Sequence, residues 1–170
     1  VDQVVICSPD KDLAQLVTGE KVVCWDRRRD IIYDQAAVNE KYGVEPASIP
    51  DYLALVGDKA DGIPGIPGWG AKSAATLLTQ FRHIEDIPKD TTRWDMTAGR
   101  ARRLAENLAA RRNDVVLYRR LTTLRTDVPL AEALDDLAWR GARPALRQFC
   151  AELGAEEILD RLPRWRSESQ

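Results

Sequence analysis

Apolar residues fall into short runs in the first part of this chain and into helical stripes after it. Val4–Cys7 (VVIC) is a continuous apolar run, which predicts a buried parallel strand. Ser8-Pro9-Asp10-Lys11-Asp12 follows, then a helical piece at Leu13–Val17, so two aspartates stand at the C-terminal end of a strand. Open α/β sheets place their ligands at that end. An aspartate there can equally cap the helix that follows. Lys21–Trp25 (KVVCW) and Ile31–Tyr33 (IIY) flank the polar turn Asp26–Asp30 (DRRRD) and predict an antiparallel hairpin at a sheet edge. Arg27, Arg28 and Arg29 in that turn could touch nucleic acid, but solvated loop charge is the preferred reading. Asp34 as N-cap and Gly43 at C′ bracket a helix over Gln35–Tyr42. Pro50–Val56 (PDYLALV) predicts a further helix whose end delivers Gly57 and Asp58.

Beyond residue 70 the pattern is helical. Ala71–Leu78 predicts a helix, His83–Ile87 a single turn and Pro88–Trp94 a loop. Thr97–Arg112 places Ala101, Leu104, Ala105 and Leu108 on one face. A helix starting at Asn113 or Asp114 is expected to bury Leu117, Leu121 and Leu124. Pro144–Leu153 and Ala155–Leu162 read as terminal helices, and residues 167–170 as a frayed end. His83, the only histidine, has no evident partner and is assigned no role. One parallel strand and an edge hairpin make too little sheet, because a parallel sheet needs neighbours and two covered faces. The expectation is that further strands belong upstream of this chain.

Composition narrows the class. With 170 residues, 44% apolar and 31% charged, the chain suits one soluble domain or two small ones. No apolar run approaches the ~18 residues of a membrane span, and no signal peptide is evident. Cys7, Cys24 and Cys150 are odd in number and sit in apolar stretches. They read as buried thiols of a reducing compartment, which points to a bacterial-type cytoplasmic protein. The net charge of −2 conceals an asymmetry. Residues 1–96 carry 11 basic against 16 acidic side chains, and residues 97–125 carry 8 arginines against 2 acids. An acidic half beside a basic belt suits a protein that holds cations in one place and a polyanion in another. A solvated helical face would give the belt too.

The chemistry gathers at Val56–Leu78, VGDKADGIPGIPGWGAKSAATLL. Asp58 and Asp61 stand three apart, ahead of a loop with Gly62, Gly65, Gly68 and Gly70. Glycine permits close approach of another molecule to the backbone, and the N–H groups of a helix N-terminus attract anions. Lys72 in the first helical turn opposes the helix dipole, and a bound phosphate would account for it. Asp10, Asp12, Asp58 and Asp61 offer oxygen alone, a donor set that selects Mg²⁺ or Mn²⁺. Such cations beside a phosphate-binding loop suit in-line phosphodiester hydrolysis. Turn and cap roles for all four aspartates are the plain alternative.

At these residues the sequence resembles a known family. SPDKDLAQLV, EKYGV at Glu40–Val44, DYLALVGDKADGIPGIPGWGAKSAATLL at Asp51–Leu78 and LRTDVPL at Leu124–Leu130 look like the bacterial 5′–3′ exonucleases. These are flap-endonuclease-like 5′ nucleases, free-standing or fused to DNA polymerase I. One departure is Gly62, where the family usually has Asn.

The resemblance implies an α/β fold: the C-terminal remnant of a PIN/resolvase-like parallel sheet over residues 1–57, then an all-α, SAM-like helix–three-turn–helix region over 58–170. It implies that Asp10, Asp12, Asp58 and Asp61 are catalytic metal ligands for Mg²⁺ or Mn²⁺. It also implies that Gly65, Ile66, Gly68, Trp69, Gly70, Ala71, Lys72 and Ser73 form the loop that grips duplex DNA through backbone N–H groups and a K⁺ ion. Trp69 is expected to pack inward. The implied partners are DNA with a 5′ flap, nick or free 5′ end and a DNA polymerase I in the same chain or cell, with no membrane. The implied activity is two-metal cleavage of DNA in the full protein, with the first-metal carboxylates upstream and this chain inactive alone. The rival reading is a non-catalytic duplex-binding module, and a third is a protein-interaction domain without DNA affinity.

Overall fold

A computed structural model describes residues 1–166, and the fraying expected at 167–170 lies outside them. The chain divides into a compact unit, Val1–Thr126, and a second unit from residue 127 onward. The division expected between residues 57 and 58 falls inside the first of these.

The first unit opens with three strands, β1 (Val4–Ile6), β2 (Val22–Asp26) and β3 (Ile31–Tyr33), in the order β1-β2-β3. β1 runs parallel to β2, with Val4 opposite Val22. β2 and β3 form the expected hairpin, with Cys24 opposite Tyr33. The buried Asp26 carboxylate closes the turn, accepting from the N–H groups of Arg28 and Arg29 and from Arg29 Nη1 at 2.9 Å. Arg27 lies over the Trp25 ring at 5.4 Å. The side chains of Arg27 and Arg29 are therefore occupied locally. β1 departs from expectation, since Val4 and Val5 are 41% and 43% exposed. It is an edge strand, and among the described residues only β2 flanks it. Cys7, just past its end, is also exposed, so the reading of buried thiols holds for Cys24 and Cys150 alone.

Five α-helices complete this unit: α1 (Gln35–Tyr42), α2 (Ile49–Val56), α3 (Ala71–Phe81), α4 (Ala98–Ala110) and α5 (Arg112–Thr122). Asp34 Oδ1 caps α1 by accepting from Ala37 N at 2.8 Å, and Gly43 ends it at φ +70°. α2 is apolar on nearly every side and sits in the middle, with Ile49 through Leu55 all buried. α3, α5 and the short 3-10 turn Asp12–Leu16 pack around it. α4 buries Ala101 and Leu104, with Ala105 and Leu108 half-buried, as its stripe predicts.

α5 is turned differently from the expected leucine stripe. Leu117 and Leu121 are 52% and 60% exposed, Leu124 is half-buried, and Val115, Tyr118 and Thr122 face inward. Polar contacts set that rotation. Thr122 Oγ1 donates to Pro50 O at 3.1 Å, and Arg119 Nε reaches the buried Asp51 Oδ1 at 3.0 Å. Asp51 also meets His83 Nδ1 at 2.9 Å and accepts from Ile84 N at 3.2 Å. Arg119 Nη1 then donates to Glu85 Oε2 at 2.5 Å, which holds the Glu85 carboxyl below its ordinary range. His83 thus has a partner, 32 residues away and invisible to local spacing.

In the second unit, α6 (Ala145–Leu153) ends at Gly154 with φ +64°. Ala142 and Trp165 form a parallel bridge, and Arg147 lies over the Trp165 ring at 4.0 Å. Among the described residues no helix is long and apolar enough to cross a membrane.

Candidate metal centre and nucleic-acid interface

The end of β1 and the end of α2 deliver the acidic residues to one place. After β1, Ser8 Oγ accepts from Asp10 N at 3.2 Å and Asp10 Oδ1 accepts from Asp12 N at 3.0 Å, which fixes a tight turn before the 3-10 segment. After α2, Gly57 at φ +90° redirects the chain, and Asp58 and Ile63 exchange backbone hydrogen bonds at 2.9 and 2.8 Å. The intervening turn carries Asp61. Gly57 and Gly65 cross in backbone contact. A Cβ on Gly57 would lie 2.7 Å from Ile63 O, and one on Gly65 2.6 Å from Gly57 N. Both positions require glycine on space as well as on φ. Gly62 sits at φ +71° in open space, a conformation that asparagine also tolerates, so the departure from the usual residue leaves this turn intact.

Ligand oxygens of Asp10, Asp12 and Asp61 lie within 4.8 Å of one another. Asp12 is half-buried, and its Oδ1 is a buried oxygen without a hydrogen-bond partner. Burial, with the charges of Asp10, Asp61 and Asp58, pushes the Asp12 carboxyl up to about 6, and Lys11 pulls the other way. Asp58 stands slightly apart from this group. Its side chain is buried, with Oδ1 accepting from Lys11 Nζ at 2.5 Å and from Ala60 N at 3.0 Å. Its Oδ2 is buried without a partner. Unpartnered buried carboxylate oxygens are costly unless a donor or cation reaches them. Asp10, Asp12 and Asp61, with Asp58 beside them, therefore fit a hard divalent ion held by oxygen. Of the four expected ligands, three come together directly, and the fourth is engaged by an ammonium.

The glycine loop is anchored from behind. Ile66 N donates to Leu55 O at 2.8 Å, and the Ile66 side chain is buried. Trp69 packs inward, 5% exposed, its Nε1 donating to Leu104 O at 3.1 Å and its ring edge-on to Trp94 at 6.1 Å. Asn107 Nδ2 donates to Pro67 O at 2.7 Å, and Gly68 at φ +82° leaves that amide room. Gly70 is the N-cap of α3, and without a side chain it leaves the first N–H groups of the helix uncovered by any cap of its own. Ala71 and Lys72 are exposed there, whereas Ser73 is buried and its Oγ accepts from Arg100 Nη2 at 2.6 Å. Ile66, Trp69 and Ser73 thus turn their side chains into the protein, which leaves the backbone, Lys72 and Arg100 on the outer side.

A model of the 5′–3′ exonuclease C-terminal SAM fold matches residues 44–145, more than half of the chain. The chain belongs to the 5′–3′ exonuclease family. A 5′–3′ exonuclease of Aquifex aeolicus is 37% identical over 156 residues, covering 92% of this chain and 50% of the relative. The DNA polymerase I of Bacillus caldotenax is 36% identical over 172 residues, covering 99% of this chain and 19% of the relative. The chain therefore spans about half the length of the exonuclease and a fifth of the polymerase. Among solved structures, bacteriophage T5 flap endonuclease in a pseudo-enzyme-product complex with DNA and metal ions superposes with a TM-score of 0.61 at 22% identity, covering 94% of this chain and 53% of that one. A zinc-bound T5 5′-exonuclease gives 0.58 at 24%, covering 71% and 43%. At that identity the likeness shows a shared fold.

Two residues at this site escaped the sequence reading. Lys11 lies between the two aspartates of SPDKD, and its charge of opposite sign was the available signal. Arg100 belongs to the basic belt, but only the fold brings it to Ser73, 27 residues earlier.

Proposed function

We propose that this chain is the duplex-gripping portion and one metal-binding half of a structure-specific 5′ nuclease, a 5′–3′ exonuclease and flap endonuclease that hydrolyses DNA phosphodiesters with two metal ions. The observation that carries the reading is the convergence of Asp10, Asp12 and Asp61 within 4.8 Å, with buried, unpartnered oxygens on Asp12 and Asp58. A bound Mg²⁺ or Mn²⁺ supplies Lewis-acid stabilisation of phosphate charge and an acidified water. Asp10, Asp12, Asp61 and Asp58 would hold it. Three or four carboxylates are thin support for two ions, so the second ion draws on ligands outside this chain, and the chain alone binds DNA without cutting it.

The loop Gly65–Ser73 offers a duplex backbone N–H groups at the start of α3, with Lys72 and Arg100 as nearby charges and a carbonyl-bound K⁺ as a further element. Ile66, Trp69 and Ser73 serve as its anchors. Contacts of this kind position a duplex without reading sequence. In functional terms residues 1–57 belong to the nuclease sheet and 58–170 to the DNA-binding region, and the natural setting is the bacterial cytoplasm, beside or fused to a DNA polymerase I.

A binding titration and a cleavage assay on one 5′-labelled flap duplex, with Mg²⁺ or Mn²⁺, test this. The expected result is salt-dependent binding without cleavage, weakened by Lys72→Met with a salt slope smaller by about one. No binding at low salt would overturn it. The second reading, a duplex-binding module without metal chemistry, draws on the turn hydrogen bonds that Asp10 and Asp58 already make. It predicts binding indifferent to Mg²⁺ and, within the full nuclease, cleavage that survives Asp58→Asn and Asp61→Asn.

A further inference from the structure

Lys11 brings a side-chain cation to the aspartates through its pair with Asp58. Its backbone lies between Asp10 and Asp12, yet its ammonium pairs with Asp58, 47 residues away, at 2.5 Å. Asp58 is 1% exposed, so its charge cannot be screened by water, and Lys11 Nζ is the one side-chain cation paired with it among the described residues. The other Asp58 oxygen is left without a donor. A resident salt bridge would be expected to satisfy a buried carboxylate on both oxygens. Here one is kept free, beside three carboxylates that converge on a common point.

We propose that Lys11 is a built-in counter-cation for the metal centre. It holds Asp58 while the centre is empty and gives it up when a divalent ion enters, so that ion binding is an exchange of one cation for another. This rests on the reading of the aspartates as a metal centre. Lys11 is a positioning residue in this account. Its side chain is 41% exposed in the pair and can swing to solvent on its flexible stem, whereas Asp58 is fixed by Ala60 N and by the backbone bonds to Ile63. The exchange lowers the affinity for the ion and keeps Asp58 in place between binding events.

Mn²⁺ titration of the folded protein, with free Mn²⁺ read by electron paramagnetic resonance, tests the exchange in four proteins: wild type, Lys11→Met, Asp58→Asn and the double variant. Thermal melts confirm that each is folded. Lys11→Met is expected to tighten Mn²⁺ roughly tenfold when Asp58 is present. In the Asp58→Asn background the same substitution should gain less than about twofold, because there is no pair left to break. Equal gains in both backgrounds would mean that Lys11 acts only as a distant charge, and no gain would mean that it is not in competition; either result overturns the proposal. If wild type and Lys11→Met both fail to bind Mn²⁺, the metal centre itself is refuted along with the exchange. If only Lys11→Met binds, the exchange is supported in its strongest form.

Discussion

Asp51 and Asp58 lie seven residues apart, one near the start of α2 and one just past its end, and both are buried to within 1%. Their surroundings are opposite. Asp51 receives Arg119, His83 and the Ile84 N–H, so both of its oxygens are engaged. Asp58 receives Lys11 and the Ala60 N–H on one oxygen and leaves the other bare. A buried carboxylate that is fully partnered ties elements together. One that keeps an open oxygen beside other carboxylates is prepared for a ligand. Burial alone does not distinguish the two aspartates, and hydrogen-bond accounting does.

The largest expected effect is on the closed side. Asp51→Ala removes the buried acceptor that Arg119, His83 and the Ile84 N–H share, and should cost about 2–3 kcal/mol in urea unfolding, with Arg119 keeping Glu85 as its remaining partner. Pairing it with Arg119→Met should recover part of that loss. A cost under about 1 kcal/mol would erase the contrast between the two aspartates.

Asp58→Asn is the matching change on the open side. It removes a buried charge as well as its ion pair, so the two effects oppose and the metal-free protein should shift by only about 1 kcal/mol. In a full-length 5′ nuclease carrying this segment, the same substitution should cut turnover by about a hundredfold or more while leaving the fold. Unchanged cleavage would refute the assignment of Asp58.

The pH dependence sharpens the comparison further. The folded-state pKa of Asp12 is raised to about 6 from an ordinary 3.8, so the folded protein binds this proton more tightly than the unfolded chain. The penalty for the charged form is fully present above pH 6 and is relieved as pH falls from 6 toward 4. Metal-free protein should therefore gain stability from this group on mild acidification, and Asp12→Asn should flatten that part of the melt-versus-pH profile. Saturating Mg²⁺ should oppose the gain, because protons and the ion compete for the same oxygens. The smallest effect is expected at Gly62→Asn, within about 0.5 kcal/mol, as positive φ suits both residues and the space is open.

Local pattern carried much of this architecture. The hairpin, the Asp34 and Gly43 caps of α1, the apolar helix α2 and the stripe of α4 all follow from residues close in sequence. What local pattern missed depends on contacts over long separations. The rotation of α5 is set by Arg119 and Thr122 meeting α2 about 70 residues earlier, so its leucines face outward where a stripe rule buries them. The exposure of β1 reflects which strands flank it, a property of the sheet and not of VVIC. Likewise the four aspartates were legible as a group, but the pairing of Lys11 with Asp58 was not, because only the fold brings the two motifs together.

The most direct test of the account is Mn²⁺ binding to the wild-type chain and to Asp12→Asn, with free Mn²⁺ followed by electron paramagnetic resonance. The account predicts saturable binding by the wild type that Asp12→Asn abolishes. Absence of saturable binding to both the wild type and Lys11→Met, or binding that survives Asp12→Asn, would contradict it.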